Sequence, residues 1–146
     1  MNSRIQVRFA DTPEEVEAAR ALRIQVFVGE QGVPLEAETD ELDSLATHAV
    51  ALVDGVVVGT GRMYGASTGT AHVGRMAVDA ARRRQGIGGL ILSFLEDQAR
   101  LDGAGQVELH AQIYVRSFYE RHGYAAVGEP FFEVDIEHVR MTRRLE

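Results

Sequence analysis

The chain has 146 residues, 45% of them hydrophobic, which suits one folded domain (residues 1–146) with a sizeable core. It contains no cysteine, excluding disulfides, thiolate metal sites and cysteine nucleophiles, and its formal net charge of −7 argues against a general nucleic-acid binder. No apolar run is long enough to span a bilayer and the first residues lack a signal-like apolar core, so a cytoplasmic protein with no membrane partner is expected.

Taken in order, Arg4 to Ala10 alternates Ile5, Val7 and Phe9, a strand pattern. Asp11 or Thr12 then caps a helix predicted from Pro13 to about Val28, with proline in its first turn and Glu14 and Glu15 near its positive end. The acidic stretch "GEQGVPLEAETDELD", broken by Gly29, Gly32 and Pro34, reads as a loop with at most one helical turn. Ala46 to Val53 and Val56 to Met63, joined by Asp54-Gly55, form a β-hairpin, and Thr70 to Val78 returns as a third antiparallel strand. Ile87, Leu90, Ile91, Phe94 and Leu95 recur at helical spacing up to "LDGAG". Gln106 to His110 is a strand, Arg116 to His122 a short helix closed by Gly123, and Tyr124 to Val127 and Glu137 to Arg143 are the last strands. This order specifies an α+β fold: a mixed sheet with helices on its faces.

The most telling segment is Val73 to Gly89, "VGRMAVDAARRRQGIGG", in which a strand enters a basic turn, then a glycine pair, then a helix. A helix N-terminus leaves N–H groups unpaired and carries partial positive charge, so an anion is its natural ligand. Arg82, Arg83 and Arg84 add guanidinium groups suited to phosphate, and Gly86 and Gly88 let a ligand approach the backbone. The spacing lacks the lysine of a P-loop, and lysine is absent from the chain; nor does it fit the dinucleotide fingerprint.

The R-x-x-G-x-G spacing of Arg83, Gly86 and Gly88 resembles motif A of the GCN5-related N-acetyltransferases (GNAT), whose loop holds the pyrophosphate of acetyl-CoA. "SFYERHGY", Ser117 to Tyr124, resembles motif B of the same superfamily. "VFVGEQGVP", Val26 to Pro34, and "EHVRM", Glu137 to Met141, look like its small bacterial ElaA/YjcF-like branch. The resemblance implies a mostly antiparallel central sheet flanked by helices on both faces, and acetyl-CoA as cofactor. It implies an acetyltransferase that moves the acetyl group directly to a primary amine of a small molecule or a protein, within a ternary complex.

By position in these motifs, Met76, Ala77, Val78, Arg83, Arg84, Gln85, Gly86, Ile87, Gly88, Gly89, Ser117 and Tyr119 are the implied cofactor residues. Tyr119 is the implied proton donor to the CoA sulfur, against the plainer reading that it packs a short helix. Ser117 stands where the family often has an asparagine. A backbone N–H near Met76 to Val78 is the implied oxyanion donor, on a strand that often splays from the next.

His72 is a candidate general base, because its side chain is expected to share a face with Met76 and histidine titrates in a useful range. His48, His110, His138 and Glu30 compete for that role, and surface decoration is the plainer reading of His72. The five histidines are too scattered for a metal site.

Acceptor-side residues are expected to include Phe27, Glu30, Gln31, Arg62, Arg75 and His110. Arg62 and Arg75 fall nearly opposite each other on paired strands, so they either share an acceptor carboxylate or phosphate or are neutralised by acids from "EAETDELD", Glu36 to Asp43. Two further readings stay open: a CoA-binding sensor or interaction module without turnover, and a nucleotide site unrelated to CoA. A homodimer is permitted but not required.

Overall fold

The computed structural model describes residues 4–146. Among the described residues seven strands form one sheet in the order β1-β2-β3-β4-β5-β7-β6. β1 (Ile5–Phe9), β2 (Thr47–Val53), β3 (Val56–Tyr64) and β4 (Thr70–Val78) pair antiparallel in sequence. β5 (Gln106–Gln112) lies parallel to β4, and β7 (Ile136–Arg144) separates it from the edge strand β6 (Ala125–Glu133). The β2–β3 turn has positive φ at both Asp54 (51°) and Gly55 (78°), as a two-residue hairpin with the twist of its strands requires.

The two sheet faces carry different helices. α1 (Pro13–Arg23) starts at Thr12, whose hydroxyl accepts the Glu15 N–H at 3.2 Å, and packs Ala19 on Val50 and Leu52. α3 (Ile87–Leu101) covers the other face, burying Ile91, Leu92 and Leu95 against Ala49, Ala51, Ala71, Val73 and Val107. Each such side chain contributes about 1.5–3 kcal/mol on burial. Close approach is built into β3: a Cβ at Gly61 would lie 2.6 Å from the Met76 sulfur and 3.0 Å from Ile91 Cγ2.

Two boundaries depart from the sequence expectation. The first helix does not run regularly to Val28; α1 ends at Arg23 and a π-helical turn, Ile24–Glu30, carries the chain on. Its wider ring turns Val26, Phe27 and Glu30 toward a cleft. The short helix α2 (Leu35–Glu38) follows, and then a 3₁₀ turn, Glu41–Ser44. β6 extends well past Val127, because Gly128 (φ 79°) and Pro130 sit in a register shift between Val127 and Phe131 where no ladder donor is needed. Among the described residues no helix is long and apolar enough to cross a membrane.

Candidate active site

The site begins where the sheet divides. β4 and β5 pair only from Thr70–Gln106 to His72–Glu108, and beyond that point the strands part. Just past the parting, β4 bulges: Thr60 faces Ala77 and Arg62 faces Gly74, so Arg75 and Met76 together oppose Gly61. Arg75 takes up the extra residue with φ of 51°.

The bulge reverses the facing of side chains along β4. Ala71 and Val73 pack beneath α3 before it, and Met76 and Val78 do so after it. His72 therefore points away from the face Met76 occupies, which corrects the expected shared face. Its ring stacks on Tyr64 with centroids 4.9 Å apart, and it does not line the cleft. An alternation rule counted through an unseen extra residue gives the wrong parity.

At one end of the parted strands stands the N-terminus of α3. Gly86 adopts φ of 80°, and the first intrahelical bond runs from Leu90 N–H to Gly86 O at 3.1 Å. The N–H groups of Ile87, Gly88 and Gly89 are thus left without helical acceptors. Arg83 and Arg84 line the same mouth, whereas Gln85 is exposed and outside it. The Arg83 Nε–H donates to Val78 O at 3.1 Å and its Nη2 lies 2.8 Å from Glu30 Oε1, so the end of the π turn holds the arginine.

The cleft between these elements has a volume of about 1130 Å³ and is lined from both sides of the sheet division. α4 (Arg116–Arg121) presents Tyr119 to it, packed edge-on against Phe118 (5.0 Å) and Tyr124 (5.9 Å). Tyr119 is 8% exposed, and burial, with a smaller effect of Tyr114, pushes its hydroxyl well above the usual tyrosine range. Among the described residues that hydroxyl takes no protein hydrogen bond. Ser117 is exposed on the outer side of α4 and does not line the cleft.

The opposite end is walled by an ionic network. Arg23 Nε donates to Glu38 Oε1 at 2.7 Å and its Nη1 to Asp43 at 2.7 Å, while Arg62 Nη1 reaches Asp40 at 2.7 Å and Asp43 at 3.1 Å. Arg75 donates to Glu38 O at 3.1 Å and to Asp40 at 3.2 Å. Burial raises the Asp43 carboxyl, but the hydrogen bonds and charges of Arg23 and Arg62 outweigh it and hold the group far below its usual range. The acids of the "EAETDELD" segment thus neutralise both arginines. Arg62, 5% exposed, is absent from the cleft wall, which corrects its expected contact with the acceptor; Arg75 remains on that wall. His48 is also outside, its Nε2 3.0 Å from Asp43 O.

Phe27, Glu30 and Gln31 do line the cleft, and Gln31 crosses it. Its amide donates to the Tyr114 hydroxyl at 2.7 Å and accepts from Gln112 at 2.7 Å. Gln112, Tyr114 and Glu133 were not legible as neighbours, because β5 and β6 both extend beyond the expected strands. His110 and His138 meet at that same wall, on adjacent strands β5 and β7.

Similarity to known proteins agrees with this geometry. Residues 10–145 match the family model described as Acetyltransferase (GNAT) domain. The chain is 36% identical over 135 residues to the uncharacterized N-acetyltransferase YjcF of Bacillus subtilis, covering 92% of this chain and 96% of that one. An acyl-CoA N-acyltransferase from Pseudomonas aeruginosa superposes with a TM-score of 0.84 at 30% identity, over 97% of this chain and 99% of the other. Escherichia coli ElaA shares the fold at a TM-score of 0.79 and 23% identity, over 97% and 99% of the two chains. With the family matched across nearly its full length, this chain belongs to the GNAT acetyltransferases, in their ElaA/YjcF-like branch, and is an acyltransferase.

Proposed function

We propose that the chain moves an acetyl group from acetyl-CoA to a primary amine by direct transfer within a ternary complex. The observation that carries this reading is the parting of β4 from β5, beside which one cleft runs from the unpaired N–H groups of α3 to the polar side chains of Gln31, His110 and Gln112. The residues present fit the cofactor. Arg83, Arg84 and the N–H groups of Ile87, Gly88 and Gly89 suit a pyrophosphate, and the backbone of Met76, Ala77 and Val78 suits peptide-like pairing with pantetheine amides.

Acetyl-CoA, when bound, supplies the reactive thioester. Tyr119 lines the cleft with its proton held at Oη, where it can hydrogen-bond a departing sulfur and pass that proton as thiolate charge builds. The β4 bulge leaves a backbone N–H of Met76 to Val78 for the carbonyl oxygen as negative charge develops there. Against a chain that only senses CoA, the same cleft is also lined by Gln31, His110 and Gln112, more polar wall than the mouth at α3 alone.

The test is thiol release from acetyl-CoA across classes of amine. Tyr119→Phe is expected to lower kcat by about a hundredfold with CoA affinity kept; an unchanged kcat removes Tyr119 from the chemistry. Thermal stabilisation by ATP and not by CoA would overturn the cofactor.

A further inference from the structure

Resting on that reading of acetyl transfer, we propose that His110 is the general base that takes the proton of the acceptor amine, held in position by Glu133. The two residues come from different strands. His110 lies on β5, and Glu133 ends β6, with β7 between them. His110 Nδ1 is 2.6 Å from Glu133 Oε1, a distance at which the ionised carboxylate accepts and the ring nitrogen donates. A neutral ring that spends its proton at Nδ1 leaves Nε2 as a lone pair, on a side chain 46% exposed at the cleft wall.

The ring is further fixed by its neighbours. Phe131 meets His110 edge-on at 5.0 Å and stacks on His138 at 6.1 Å. His138 is buried, donates from Nδ1 to Ile136 O at 2.7 Å, and faces Glu133 with Nε2 at 3.9 Å. It shares the cleft wall with His110, but at 8% side-chain exposure against 46% it offers a ligand far less of its ring.

The other basic groups are excluded by their contacts. His72 faces away from the Met76 side of β4. Glu30 pairs with Arg83, the buried Glu38 is bound by Arg23, and Glu108 is held by Arg140. His122 belongs to the α3 end, where its ring is 3.0 Å from a Cβ built on Gly89.

In the proposed step the ammonium loses a proton to His110 Nε2, and the amine lone pair forms the new C–N bond. As the C–S bond breaks, the sulfur takes the proton of Tyr119 and the nitrogen's second proton passes to solvent, which reprotonates Tyr119 and deprotonates His110, so that ammonium and acetyl-CoA give amide, free thiol and one proton in all. The imidazolium formed lies against the Glu133 carboxylate. The other charged groups facing it are Glu108 on β5, Arg140 and His138 on β7, with Arg75 on the opposite wall.

The experiment measures thiol release from acetyl-CoA with n-butylamine, glycine and spermidine, from about pH 5 to about pH 9. His110→Gln is expected to lower kcat/KM for the amine by about a hundredfold or more, with the Kd for CoA within about twofold. Glu133→Gln is expected to shift the acid limb of the rate profile to lower pH, because the imidazolium loses its counter-charge. Nitrogen-15 spectra of the imidazoles, which need no turnover, are expected to place the proton of neutral His110 on Nδ1. A proton on Nε2, or a His110→Gln enzyme as fast as the parent, overturns the proposal while leaving acetyl transfer intact. A parent enzyme that releases thiol with none of the amines overturns acetyl transfer and this base with it.

Discussion

Glu30 Oε1 lies 2.8 Å from Arg83 Nη2, joining the end of the π turn to the arginine at the mouth of α3. Both side chains are partly exposed, so the pair is worth at most about 1 kcal/mol, yet its partner is the group that a pyrophosphate would engage. Glu30→Gln is expected to tighten CoA binding by up to about fivefold, a gain that shrinks at high salt. Calorimetric titration at two ionic strengths checks this, and weaker binding would refute it.

The phosphate mouth also depends on backbone conformation. Gly86 holds φ of 80° at the α3 N-cap and Gly103 holds 92° just beyond its other end. Alanine at either position is expected to cost about 1–2 kcal/mol of stability, but only Gly86→Ala is expected to weaken CoA binding, by about tenfold. Equal CoA affinities in the two variants would detach Gly86 from the ligand.

The acidic segment holds the sheet through buried charge. Glu38 is 1% exposed and pairs with Arg23 at 2.7 Å, so Glu38→Gln leaves the buried guanidinium with Asp43 as its remaining counter-charge. A loss of about 1–3 kcal/mol is expected in urea denaturation. Breaking the exposed Arg116–Glu120 pair with Arg116→Gln is expected to change stability by under about 0.5 kcal/mol.

Acid stability follows from the same carboxylates. Asp43 is depressed by Arg23 and Arg62 against the opposing effect of burial, and the Arg8 hydrogen bond draws Glu15 down to about 2. Folded-state values below the unfolded ones mean that the stabilisation is complete above the ordinary carboxylate range and is lost progressively as pH falls from there through the depressed folded values. Tm is therefore expected to decline from about pH 5 downward, and Asp43→Asn to flatten that decline. A steeper decline in the variant would contradict the assignment.

Periodicity made the sheet and its two main helices legible, since Ile5, Val7 and Phe9, or Ile91 and Leu95, follow simple rules of facing. The α3 mouth was legible because Arg83, Gly86 and Gly88 lie close together in the chain. What escaped was irregular or distant. The bulge at Arg75 carries no glycine at its positive φ, so nothing in "HVGRMAV" signalled the reversal that removes His72 from the cleft. The expected strand ended at Val127, which left Glu133 off the sheet and the partner of His110 unseen. The acids of "EAETDELD" were already readable as partners of Arg62 and Arg75, but that Asp40 and Asp43 are the ones depends on how a loop folds back, which spacing does not encode.

The central claim, direct transfer of acetyl from acetyl-CoA to an amine, is tested by mass spectrometry of a mixture of enzyme, acetyl-CoA and the amine that releases most thiol. The expected result is one acetylated amine for each free thiol and no acetyl group on the protein. Thiol release without acetylated amine, or acetyl lodged on an enzyme side chain as an obligatory stage, would contradict it.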